Sequence, residues 1–95
     1  MAETEHAIVL CYDISRAATR RRVAAFLEDR LVRVQQSVFE GRMTPTAART
    51  LFAATVTRLD PGDGLRLYVL DRDGLSKSLA HGGAPLPEES SFYLF

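Results

Sequence analysis

The sequence predicts an α+β fold with the element order strand, helix, strand, strand, helix, strand, and three observations carry that prediction. The run "HAIVLCY" at residues 6–12 has no polar face and reads as a central strand, covered on at least one side and paired along both edges. Two later segments repeat apolar residues at helical spacing, each behind a capping residue. A further run, "LRLYVLD" at 65–71, alternates as a half-buried strand does. Two βαβ units split in this way build a four-stranded antiparallel sheet with both helices on one face, the ferredoxin-like arrangement.

Taken in order, the first strand runs from His6 to Tyr12, and Ser15 is placed to cap the helix behind it. Thr19, Val23, Phe26 and Leu27 form the inward stripe of that helix. The stretch "LVRVQQSVFEGRM" at 31–43 is too long for one strand and divides into two, with a reversal near Gln36 to Val38. The second helix is announced by Thr44 as cap and Pro45 at the first helical position. Ala48, Leu51, Phe52, Thr55, Val56 and Leu59 then share one face, and "DPGDG" at 60–64 stops it. Leu65, Leu67 and Val69 point to one side of the fourth strand. Residues 72–91 read as loop, and Ser91 to Phe95 as a last strand added to a sheet edge, that of a partner subunit. The expectation is a single domain over 1–95, with its core at about 6–71 and a loop and dimerisation strand at about 72–95.

A chain of 95 residues buries only about two-thirds of its unfolded surface, so a second subunit on the open sheet face would add to a marginal stability. Its 46% apolar and 25% charged content is that of a globular protein. Net formal charge is zero, yet residues 16–49 hold eight arginines against Glu28, Asp29 and Glu40. Such a basic half suits a polyanion, although a GC-rich genome would also enrich arginine. Cys11, the one cysteine, sits in an apolar run and reads as a buried, inert thiol. No stretch reaches membrane-spanning length and the start "MAETEH" is unlike a signal peptide, so a cytoplasmic protein is expected.

The chemistry concentrates in "YDISRAATRRRV" at residues 12–23. Asp13, at a strand end, is the carboxylate placed to hold Mg²⁺ or another divalent cation, which needs only one or two protein carboxylates. One aspartate per chain is half a site, completed by a second copy across a dimer axis. Asp13 equally fits a plainer part, capping the helix or pairing with Arg16. Arg16 and Arg20 lie one turn apart, Arg22 projects from the other flank, and Arg21 points more toward solvent. Guanidinium forks near a helix N-terminus suit phosphate oxygens, and they also make an ordinary solvated helix face. Tyr12, Phe39 and Tyr68 have rings that stack on bases, with core packing the commoner use for at least two of them.

These residues also carry a family resemblance. "YDIS…RRRVAAFLED…RVQQSVFEG", with "GLRLYVLD" closing the match, resembles the small CRISPR-associated protein of the spacer-acquisition machinery, the second of the two universal Cas proteins. The match spans about Ala7 to Leu70. It implies a ferredoxin-like homodimer whose C-terminal strand crosses to the partner. It implies Asp13 as the catalytic and metal-holding residue, meeting its copy around a divalent metal. It further implies a metal-dependent endonuclease on single-stranded RNA or double-stranded DNA, and an adaptor between integrase subunits that insert new spacers as protospacer DNA. By motif, Tyr12 and Asp13 match the strand-end pair, Arg20 and Arg22 the helix basics, Arg33 a basic residue before the glutamine, and Phe39 the aromatic of "SVF". With Arg16, these are the nucleic-acid-binding residues expected. The chain departs from the pattern in "SRAAT", where acidic residues are usual, and in lacking a glycine within "EDRLVRV". The first departure favours a grip on a nucleic-acid backbone over cation binding.

Two other functions suit the same fold. A free-standing ribonuclease toxin would act without an integrase. A non-catalytic interaction or regulatory module would show no salt-sensitive nucleic-acid binding, and "SVFEG" argues against it.

Overall fold

A computed structural model describes residues 3–71 and 74–86. The elements run β1 (His6–Asp13), α1 (Ala17–Glu28), β2 (Val32–Gln35), β3 (Val38–Met43), α2 (Pro45–Val56), β4 (Gly64–Leu70), α3 (Gly74–Lys77) and β5 (Leu79–His81). They form one antiparallel sheet in the order β2-β3-β1-β4-β5. The first four strands in that order make the expected ferredoxin-like sheet, and β5 is added at the β4 edge.

β1 is central because it is apolar on both faces. Its Ile8, Leu10 and Tyr12 are buried on the helix side. Phe39 lies opposite Leu10 on β3, and Leu67 lies opposite it on β4. Leu65, Leu67 and Val69 complete the sheet's buried row. Val23 and Leu27 of α1, with Ala48 and Leu51 of α2, close the core from above. Burial of these apolar surfaces, at roughly 25 cal/mol per Å², is the main term holding the fold.

The second helix begins as its sequence requires, with Thr44 Oγ1 accepting from the Ala47 amide at 3.1 Å and Pro45 following. The first begins differently. Its N-cap is Arg16, with no side-chain cap, and Ser15, expected to cap, instead donates its backbone N–H to Asp63 Oδ1 at 3.3 Å. The side-chain contacts around this helix start come instead from the loop before β4. Asp63, buried in "DPGDG", also accepts from the Asp60 amide at 2.9 Å, and Asp60 accepts from the hydroxyl of buried Thr19.

The predicted reversal between β2 and β3 is a tight turn at Gln36–Ser37. The β2–β3 register shifts between Arg33 and Gln35. On this edge strand Val32 and Val34 are both exposed.

Part of the stretch read as loop is ordered. Ser78 is the reason: its buried hydroxyl accepts from the Val69 amide at 2.9 Å and donates to the Gly74 carbonyl at 2.7 Å, fastening α3 to β4. β5 then pairs with β4 at Leu65–His81 and Leu67–Leu79. Gly82 has φ +70, and a Cβ there would fall on the Asp63 carbonyl oxygen, so the chain leaves β5 through a position made for glycine. The predicted strand at Ser91 to Phe95 lies outside the described residues.

Among the described residues the opposite face of the sheet carries no helix. By alternation Val9, Cys11, Val38, Tyr68 and Leu70 lie there, and Leu70 is 56% exposed. Cys11 is therefore half-buried rather than enclosed, and burial pushes its thiol pKa up, so it stays protonated near neutral pH. Among the described residues no helix is long and apolar enough to cross a membrane.

A cationic cleft at the end of the central strand

Asp13 closes β1, opposite Gly64, where the chain leaves the sheet for α1. Its carboxylate is exposed and has no hydrogen-bond or ion-pair partner among the described residues. The plainer expectations for Asp13 do not hold: it neither caps α1 nor pairs with Arg16. Arg16 pairs with Asp60 at 3.5 Å.

Beside Asp13 opens a cleft of about 560 Å³ between α1 and the β2–β3 turn. Its α1 wall is the stripe Ala17, Arg20, Arg21, Ala24, Ala25 and Glu28, one face at helical spacing. Alanines along this stripe leave the room that longer side chains would fill. Arg20 is folded back over the loop after Asp13, donating through Nη1 to the carbonyls of Ile14 at 3.0 Å and Ser15 at 2.9 Å. Those carbonyls fix the guanidinium without neutralising it. Arg21 lines the same wall and has no partner among the described residues.

The opposite wall is built around the Gln36 carbonyl. Arg33 donates to it through Nε at 3.1 Å and Nη2 at 2.6 Å, and the Tyr12 hydroxyl donates to it at 3.0 Å. Burial raises the Tyr12 phenol pKa, so the group remains a donor. Arg33 also pairs with Glu28, and its guanidinium carbon lies 5.7 Å from the centre of the Phe39 ring. Three guanidiniums thus share the cleft with two carboxylates, Asp13 and Glu28.

Of the residues predicted for the site, the cleft gathers Tyr12, Asp13, Arg20 and Arg33. It does not gather Arg16 or Arg22. Arg22 leans on Thr19 Oγ1 at 3.3 Å, on another flank of α1. Phe39, expected to contact nucleic acid, is 0% exposed and packs against Tyr12 at 6.2 Å between ring centres. It cannot stack on a base without unfolding the core, and Tyr12 is nearly as enclosed. Both rings are structural. Sequence reasoning missed Arg21, Glu28 and Gln36. The alanine-spaced stripe from Ala17 to Glu28 was the available signal for the first two.

No group of three or more His, Cys, Asp or Glu side chains comes together among the described residues. Within one chain the cleft offers a metal a single free carboxylate, since Glu28 is held by Arg33. That donor set fits Mg²⁺ only with water, phosphate and a second carboxylate brought by another copy.

Comparison with known proteins is consistent across sequence and structure. Residues 6–78 match the family model of CRISPR associated protein Cas2. A curated relative, the CRISPR-associated endoribonuclease Cas2 2 of Synechocystis sp., is 33% identical over an alignment of 88 residues, covering 90% of this chain and 95% of that protein. The crystal structure of a hypothetical protein from Thermus thermophilus is similar with a TM-score of 0.66 and 30% identity, covering 90% of this chain and 100% of that one. A chain of a partial Cas6-RT-Cas1–Cas2 complex is similar with a TM-score of 0.55 and 27% identity, covering 75% of this chain and 84% of that one.

Proposed function

This chain belongs to the Cas2 family of CRISPR-associated proteins, and from that membership we propose that it acts in CRISPR adaptation as a homodimeric, nucleic-acid-binding adaptor for an integrase subunit, with a divalent-metal-dependent endonuclease site at Asp13. The observation that carries this reading is a free carboxylate, Asp13, at the mouth of a cleft whose guanidiniums Arg20, Arg21 and Arg33 are placed to receive backbone phosphates. Arg20 is already immobilised on loop carbonyls, so little of its side-chain entropy remains to be lost on binding. Guanidinium forks match phosphate oxygens in double-stranded DNA or in single-stranded RNA, without reading sequence.

The homodimer is supported by the sheet face with Val9, Cys11, Val38 and Leu70, which carries no helix among the described residues. Asp13 follows Val9 and Cys11 in the alternation of β1, so a second copy packed on that face about an axis near this strand end would bring a second Asp13 close. Asp13 and its counterpart would hold Mg²⁺, which when bound lowers the pKa of a coordinated water and polarises a phosphate. Arg20 and Arg33 hold the phosphodiester in place on this chain.

The test compares wild type with Asp13→Ala in a contaminant-controlled cleavage assay, a duplex-binding assay and a spacer-acquisition assay. Cleavage is expected to disappear while binding persists. An Asp13→Ala protein that cleaves as well as wild type removes the catalytic role, and acquisition that survives makes the nuclease site dispensable to adaptation.

A further inference from the structure

Among the described residues, Arg33 is the one cleft guanidinium held by a carboxylate. Glu28 Oε1 lies 2.9 Å from Arg33 Nη1, and both side chains are partly exposed, Glu28 by 49% and Arg33 by 39%. Nε and Nη2 of the same guanidinium are fixed on the Gln36 carbonyl, and its face lies over Phe39. Arg33 is therefore anchored on its inner edge, and its outer nitrogen carries an acidic side chain that lines the cleft. Among the described residues neither of the other two guanidiniums is neutralised: Arg20 contacts only carbonyls, and Arg21 is free.

We infer that Glu28 is a built-in competitor for phosphate, an acidic latch that holds Arg33 and sets the affinity of the cleft for a nucleic-acid backbone. The inference rests on the proposal that the cleft binds nucleic acid. Its physical basis is an exchange of equivalent acceptors. A carboxylate oxygen on Nη1 occupies a position that a phosphate oxygen would take, and both make charge-assisted hydrogen bonds. An exposed pair of this kind is weak, worth about 0–1 kcal/mol, so an incoming phosphate can displace it. Because Nε and Nη2 stay on Gln36, Arg33 exchanges its partner without moving the turn. Glu28 thereby makes the grip releasable, since the carboxylate recaptures Arg33 when the backbone leaves.

Asp29 supplies the control. It is the next residue, exposed, and without a side-chain partner among the described residues, and it does not line the cleft. Asp29→Asn removes the same charge from nearly the same place without freeing Arg33. Binding of a labelled DNA duplex is measured against salt concentration for wild type, Glu28→Gln, Asp29→Asn, Arg33→Gln and the Glu28→Gln/Arg33→Gln double variant, with thermal melts to verify folding. Where Arg33→Gln does not fold, Arg33→Lys replaces it, because lysine has no fork to span Gln36 and Glu28.

Glu28→Gln is expected to tighten binding about three- to tenfold at low salt, with the slope of log K against log salt changing by less than one phosphate contact (about 0.9), since Arg33 reaches phosphate in both proteins. Asp29→Asn changes affinity less than about twofold, the scale of an exposed charge outside the contact. Glu28→Gln in the Arg33-substituted background gives no gain. An equal gain from Asp29→Asn, an undiminished gain without Arg33, or no gain at all overturns the latch while leaving the cleft as a binding site. Wild-type binding that does not respond to salt overturns the nucleic-acid reading and the latch together.

Discussion

The Tyr12 hydroxyl donates to the Gln36 backbone carbonyl at 3.0 Å, joining residues 24 apart and tying the end of β1 to the β2–β3 turn. The same carbonyl carries the inner edge of Arg33. One oxygen therefore sets the position of Asp13's neighbour and of a cleft guanidinium on the opposite wall. Tyr12→Phe keeps the ring in the core and removes only the hydroxyl. Denaturant unfolding is expected to show a loss of about 0.5–1.5 kcal/mol, the usual net value of one such bond. A loss above about 3 kcal/mol would mean that the hydroxyl supports more than this contact.

Alkaline pH should weaken the fold. Burial raises the pKa of both Tyr12 and Cys11 above their ordinary values. The folded state then keeps protons that the unfolded state has released, so this stability is fully present below the unfolded pKa values, about 8.5 for Cys and about 10 for Tyr, and is lost as pH rises through the folded ones. Melting temperature is expected to fall from about pH 9 upward, and to fall less steeply in Cys11→Ala and in Tyr12→Phe. An identical pH profile in both variants would contradict this origin.

Asp63 holds the loop that follows Asp13. It is only 3% exposed and accepts from the amides of Ser15 and Asp60. Asp63→Ala strands both donors, and urea unfolding is expected to show a cost of about 1–3 kcal/mol. Hydrogen exchange at Ser15 and Asp60 should quicken more than at the core amides of β1. Unchanged exchange at those two amides would show that the loop is held by other contacts.

How much of this was legible beforehand depends on the range of the signal. β1, α2 and β4 were readable because their burial follows local periodicity: Ile8, Leu10 and Tyr12, then Ala48, Leu51 and Thr55, then Leu65, Leu67 and Val69. Thr44 and Pro45 marked a helix start through chemistry carried in adjacent residues. The start of α1 misled, because its support comes from Asp60 and Asp63, more than forty positions away. Ser78, which organises α3 and β5, acts through one hydroxyl in a segment too short to show a period. At the site, Asp13 and Arg20 were found from their place at a strand end and a helix start. Arg21 was set toward solvent, and its place in the cleft needed the stripe from Ala17 to Glu28 to be read as a wall. Phe39 belongs to a motif that points to nucleic acid, and only its register opposite Leu10 reveals it as core.

The central question is whether the cleft beside Asp13 grips a nucleic-acid backbone. The measurement is the slope of log K against log salt for duplex binding by wild type, Arg21→Ala and Arg20→Ala/Arg21→Ala, with melting temperatures taken alongside. Each lost phosphate contact should flatten the slope by about 0.9, so the single variant falls by about one and the double by about two. Arg21→Ala should melt as wild type does, because Arg21 has no partner to lose among the described residues. A slope that stays at the wild-type value in both folded variants would contradict the assignment and place the binding surface elsewhere on the molecule.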